Sequence, residues 1–168
     1  LVWEDETKET IIVDPGCSNG KEENILAEFI LKNDLNITYL INTHCHIDHI
    51  FGCAFIREKY NPLFLIPEND FPLLQNAEKQ AEMFGLVIKT PPKPDQYLSE
   101  HLVLTLNQSE IKFIFTPGHT PGEFCLYLEK EKILISGDVL FKESIGRTDL
   151  WGGDYTTLID SIQTKLLP

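Results

Sequence analysis

Apolar residues recur along this 168-residue chain in two rhythms, and the rhythm changes near residue 100. In the first part, short apolar runs alternate with stretches of helical spacing. Val2-Trp3 and Thr10 to Val13 flank the polar segment Glu4 to Lys8 and read as a hairpin that ends at Asp14-Pro15-Gly16, a strong turn signal. Ile25, Leu26, Phe29 and Ile30 predict a helix between Lys21 and Lys32, ended by Asn33-Asp34. Ile37 to Ile41 reads as a strand, Ile50 to Tyr60 as a helix stopped by Pro62, and Leu63 to Ile66 as a short buried strand. Phe71 to Phe84 has mixed helical spacing. Pro91-Pro92-Lys93-Pro94 must be a surface loop, because three prolines remove backbone donors. Beyond it, Leu102 to Leu106, Ile111 to Phe115, Cys125 to Leu128 and Ile133 to Ile135 are short strands between polar turns, which predicts antiparallel pairing. A helix from Tyr155 to Leu167 follows. Strands with interspersed helices on both sides point to an α/β layered sandwich.

Composition narrows the partners. A hydrophobic fraction of 42% is ordinary for a globular chain and fits a single domain over residues 1–168. The net charge of -12 argues against nucleic acid and against an anionic membrane surface, both of which need clustered Lys and Arg. No apolar run approaches the roughly 20 residues that span a bilayer, and Leu1 to Glu6 does not read as a signal peptide. Cys17, Cys45, Cys53 and Cys125 have no CxxC spacing and are too few for a disulfide framework. The expectation is a cytoplasmic protein with reduced thiols. Its oligomeric state is open.

The chemistry is concentrated in Thr43-His44-Cys45-His46-Ile47-Asp48-His49, directly after the strand that ends at Ile41. Three imidazoles and a carboxylate in six positions are a metal-binding pattern, since His is the commonest metal ligand. In extended backbone His44 and His46 point to one face, and Cys45 between them faces the other way and packs. A helix starting near Asp48 turns Asp48 and His49 about 100° apart, so they can serve a second ion or a water beside the first. Two more candidates sit in Gly-rich turns after strands: His119 in Thr116 to Gly122, and Asp138 in Ser136-Gly137-Asp138.

Taken in order with Gly146-Arg147-Thr148-Asp149, these motifs resemble the metallo-β-lactamase superfamily, and within it the glyoxalase II-like hydrolases. The resemblance covers nearly the whole chain. It implies a four-layer αβ/βα sandwich with a binuclear site between the two sheet edges. By that resemblance His44, His46 and His119 hold the first metal, Asp48 and His49 the second, and Asp138 bridges them. The ions are two divalent metals, zinc first, with iron or manganese as alternatives. A hydroxide held between them attacks the substrate, and Asp48 orients it. The family pattern also carries a strand before Trp3 and a further His in a Gly-His-Gly turn after the last helix. Neither lies in this sequence, so the expectation is a fragment at both ends, with a second ion held weakly. His101 lies too early in the order to substitute and reads as a surface residue at a strand start.

The resemblance implies a small-molecule substrate and leaves several reactions open. One is hydrolysis of a thioester such as S-acylglutathione. A second is a mononuclear iron persulfide dioxygenase using His44, His119 and Asp138. β-Lactam hydrolysis fits less well, because the Gly-Arg-Thr-Asp turn belongs to the thioesterase-like branch. A non-catalytic metal-binding protein is the fourth reading. Arg147 is either a fork for a substrate carboxylate or a structural partner of Asp149.

Overall fold

The structure is a computed structural model and describes residues 1–167. The chain forms β1 (Val2–Trp3), β2 (Glu9–Val13), α1 (Gly20–Lys32), β3 (Asn36–Ile41), α2 (Ile47–Ile50), α3 (Cys53–Tyr60), β4 (Leu63–Ile66), α4 (Phe71–Gln75), α5 (Ala77–Met83) and β5 (Gln96–Tyr97). It continues with β6 (Val103–Leu106), β7 (Ser109–Phe115), β8 (Phe124–Leu128), β9 (Ile133–Ile135), β10 (Leu140–Phe141), β11 (Ser144–Ile145) and α6 (Tyr155–Ser161). The first sheet has the order β1-β2-β3-β4-β5 and is parallel except at the β1/β2 hairpin. The second, β6-β7-β8-β9, is antiparallel throughout.

Strand alternation explains the layers. Successive side chains point to opposite faces of a sheet, so a strand buried on both faces is apolar at every position. Ile11, Ile41 and Leu65 enter one core with Leu104, Ile111, Phe113, Leu126 and Leu128, which is the contact between the two sheets. Their neighbours Ile12, Leu40, Phe64 and Ile66 face the other way and pack under Ile30, Ile50, Ile56, Leu73 and Ala77 from the helices. On the far side Cys125 turns out of β8 to meet Leu158 and Ile162. The result is the expected helix, sheet, sheet, helix stack.

Three helices differ from the sequence reading. The stretch Ile50 to Tyr60 is divided: α2 starts at Ile47, and the chain turns at Phe51-Gly52 before α3, where the Gly52 N–H donates to Pro15 O at 2.7 Å. Phe71 to Phe84 breaks at Asn76, whose side-chain amide donates to Pro72 O and ends α4. The last helix stops being α-helical at Ser161 and continues as a π turn, Ile162–Leu166. The two-residue strands β5, β10 and β11 are too short to leave a period-2 signal. Among the described residues no helix is long and apolar enough to cross a membrane.

Topology also decides where the loops meet. The parallel strands β2, β3 and β4 end at the same edge of the first sheet, which delivers Asp14, His44 and Asp70 there. At the second sheet β7 and β9 end, and the antiparallel β8 begins, at one edge, which delivers His119, Asp138 and Glu123. The Phe124 N–H donates to Thr43 O at 3.0 Å and ties the two edges together.

Candidate metal centre

His44 and His46 lie in the loop between β3 and α2, and both are buried. This loop is shaped by Asp14, whose Oδ1 accepts from the Thr43 N–H at 2.8 Å while Oδ2 accepts from the Thr43 hydroxyl at 2.7 Å. Asn42 extends the support by donating its side-chain amide to His49 O at 2.8 Å. Cys45 points into the helix-side core, as alternation predicts; its N–H donates to Asp70 Oδ2 at 3.2 Å. His46 is the residue at which the chain enters α2, and Asp48 and His49 follow on its first turn.

Four donor atoms converge. His119 Nε2 lies 2.8 Å from His46 Nδ1, 3.3 Å from His44 Nε2 and 3.6 Å from Asp138 Oδ2. Zinc–nitrogen bonds of about 2.0–2.1 Å in a tetrahedral site put neighbouring ligand atoms about 3.3–3.4 Å apart. The three imidazole nitrogens are therefore grouped as candidates for a single divalent ion, with an Asp138 oxygen beside His119. The second oxygen of Asp138, Oδ1, lies 3.4 Å from His49 Nε2, and Asp48 Oδ2 lies 3.7 Å from that same nitrogen. Asp138 thus faces both donor sets with one oxygen each. The structure brings together every residue that the sequence proposed as a ligand, and it leaves His101 exposed and outside the grouped donors.

The outward nitrogens of His119 and His44 have polar partners as well. His119 Nδ1 donates to Arg147 O at 2.7 Å, which leaves Nε2 free of its proton and able to bind a cation. His44 Nδ1 lies 3.1 Å from the Thr43 hydroxyl and 3.5 Å from Glu123 Oε1, and His49 Nδ1 lies 3.1 Å from Asp14 Oδ2. Asp14 is close enough to His44 and His49 to count as a donor too. Both its oxygens already accept from Thr43, however, so its geometry is that of an orienting group.

Burial, helped by the neighbouring imidazoles, pushes the His44 pKa well below its ordinary value and lowers His46 to about 4. His119 is lowered by burial as well. Neutral imidazoles are what a metal requires. At His49 burial also opposes the charge, but hydrogen bonds to Asp138 and Asp14 and the charges of Asp14 and Asp48 outweigh it and raise the pKa to about 10. The same negative potential draws a divalent cation. Asp138 is held low, first by its hydrogen bond with His49.

Glu123, Asp14 and Asp70 are missed by the sequence reading. Glu123 is fully buried, and its Oε1 accepts from the Asp138 N–H at 2.7 Å, so it supports His44 and Asp138 at once. Burial drives its pKa well above the usual carboxylate range. Gly137 makes this contact possible: its φ is +50°, and a Cβ there would lie 2.5 Å from Glu123 Oε1 and 2.6 Å from Thr43 Oγ1. A charge directly before the apolar run of β8 was the available signal for Glu123. Asp14 was absorbed by its turn reading. At Arg147 the guanidinium makes two hydrogen bonds to Asp149, at 2.7 and 2.8 Å, so the structure favours the pairing reading for the side chain.

The sequence matches the metallo-beta-lactamase superfamily over residues 1–168. The chain belongs to this superfamily. Hydroxyacylglutathione hydrolase GloC of Haemophilus influenzae is 38% identical over 170 residues, covering 100% of this chain and 78% of that protein. Among solved structures, the BLEG-1 B3 metallo-beta-lactamase superimposes with a TM-score of 0.88 at 33% identity, covering 99% of this chain and 78% of that one. TTHA1623, in a di-iron-bound form, superimposes with a TM-score of 0.83 at 31% identity, covering 94% of this chain and 76% of that one. Fold and superfamily agree with the motif reading, and the relatives are named for more than one reaction.

Proposed function

We propose that this protein is a metal-dependent thioester hydrolase of the cytoplasm that acts on small acyl thioesters, S-acylglutathione among them. The observation that carries the reading is Asp138, with one oxygen toward His44, His46 and His119 and the other toward Asp48 and His49. In this assignment the three imidazoles would hold one ion, Asp48 and His49 would hold a second, and Asp138 would offer one oxygen to each. Zinc suits the three-imidazole donor set, and iron or manganese is compatible with it. Bound divalent ions would polarise the thioester carbonyl and lower the pKa of a coordinated water toward neutrality. The chain supplies the rest. Arg147 O and Glu123 hold His119 and His44 in orientation, and Asp48, at the cavity edge, takes the proton of the attacking water on its carboxylate. Water adds to the carbonyl carbon, the C–S bond breaks, and the thiol leaves with a proton while the acyl group leaves as a carboxylate. Four unpaired cysteines suit a reducing compartment.

Similarity to GloC supports the thioester, and similarity to BLEG-1 makes a β-lactam the counter-substrate to run beside it. The deciding experiment is elemental analysis together with three assays on one sample: S-lactoylglutathione hydrolysis, β-lactam hydrolysis, and oxygen uptake with glutathione persulfide. Thioester hydrolysis with one to two equivalents of metal is expected. Oxygen uptake without hydrolysis would replace this reading with an iron dioxygenase built on His44, His119 and Asp138. Absence of transition metal would remove it altogether.

A further inference from the structure

The ligands open onto a cavity of about 390 Å³, within the range of small-molecule sites. His46, Asp48, His119 and Asp138 form its floor, and its walls are Phe51, Leu73, Met83, Phe84, Leu86 and Trp151. These apolar side chains come from separate parts of the chain: the α2/α3 turn, α4, the end of α5 with the turn after it, and the loop before α6. One amphipathic helix does not account for them. Several are unusually exposed for their type, with Met83 at 78%, Trp151 at 60% and Phe84 at 55%. A contiguous apolar wall of this kind beside polar reacting groups marks a place where apolar ligand surface is buried.

Charge sharpens the choice of ligand. Arg147 is the one cationic residue of the lining, and its guanidinium is held by Asp149. Beyond the floor, a carboxylate of the substrate meets no free positive partner in this cavity. We propose that the cavity is an acyl site and that the preferred substrate carries an uncharged, unhydroxylated aliphatic acyl group, with the thiol portion directed outward. This rests on the thioester reading above and specifies its substrate class. Fully burying one methylene corresponds to about fourfold in a rate or binding constant, that is about 0.8 kcal/mol.

The test uses straight-chain acyl thioesters of N-acetylcysteamine from two to ten carbons, the same acyl groups on glutathione, and S-lactoylglutathione. The expected result is a kcat/KM that rises by up to fourfold per methylene before reaching a plateau, on both thiols, with butyryl exceeding lactoyl. Met83→Ala and Phe84→Ala should flatten this slope while metal content stays unchanged. Both side chains are exposed, so these variants are expected to fold. In parallel, the non-hydrolysable thioethers S-butyl- to S-decyl-N-acetylcysteamine are titrated in a Trp3→Phe background, so that Trp151 alone reports binding; affinity should rise with chain length. Hydrolysis with no dependence on chain length, or a preference for lactoyl, would overturn the acyl site and leave the thioester reading standing. Length-dependent thioether binding without any thioester turnover would do the reverse. Equal affinity across the thioethers overturns the site whatever the turnover.

Discussion

Asp138 is the residue on which the largest effect should fall, because each of its oxygens faces a different donor set. Asp138→Ala is expected to lose bound metal and activity together, by elemental analysis and assay on one preparation. Arg147→Ala should leave metal content and folding stability unchanged, since its exposed pair with Asp149 is screened by water and only its backbone carbonyl serves His119. Equal metal loss in the two variants would refute that division. Asp70 is buried, and this raises its pKa to about 6 from an ordinary value near 3.8. An acid whose folded pKa is raised binds more protons folded than unfolded, so its contribution favours the fold at low pH and is lost as pH rises from about 4 to about 6. Two pH units correspond to roughly 3 kcal/mol. Urea unfolding across this window should show a downward slope with pH that is smaller in Asp70→Asn. The same slope in both proteins would place the proton elsewhere.

At the level of elements, the strand-to-loop turns control the geometry more than the strands themselves. Gly137→Ala forces a side chain into left-handed backbone and against Glu123 and Thr43, both of which are buried. The expected cost is about 1–3 kcal/mol with weakened metal binding, read by thermal unfolding and metal titration. Leu126→Ala is the control from the inter-sheet core, where a fully buried leucine costs about 2–5 kcal/mol. It should lower stability and leave the metal affinity of the folded fraction intact. The helix breaks at Phe51-Gly52 and Asn76 belong to this scale too. Apolar periodicity continues through them, because both flanking helices bury one face on the same sheet. What ends α2 is a neighbouring loop, Pro15, whose carbonyl takes the Gly52 N–H.

For the whole molecule, the site lies where two sheets with different connectivity present their edges side by side. Anything that binds only this assembled edge stabilises the fold in proportion to its affinity, by about 2.7 kcal/mol at one hundred times its dissociation constant. Adding chelator should therefore lower the melting temperature, adding zinc should restore it, and Asp138→Ala should show neither response. A chelator-insensitive melting temperature in the unaltered protein would argue that the ions are not part of the folded state. The acidic surface, net -12, remains compatible with a small-molecule role and with attraction of divalent cations.

Several features were legible in the sequence because their cause is local. The alternation of strands and helices, the hairpin ending at Asp14 and the crowding of His44, His46, Asp48 and His49 depend on residues a few positions apart. The place of His119 and Asp138 in the site came from their order and their likeness to a known family, not from spacing alone. Glu123, Asp14 and Asp70 became visible only in three dimensions, since a carboxylate's role depends on what it is buried against, and their partners lie 15 to 29 residues away. The apolar wall over the ligands has the same origin. Met83 and Trp151 look like ordinary surface or packing residues in the sequence, and packing of distant elements at one sheet edge turns them into a binding surface. The sequence by itself determined the candidate donor types and the layers that carry them; tertiary structure decided which oxygen faces which nitrogen, because that depends on the meeting of strand ends that no local rule relates.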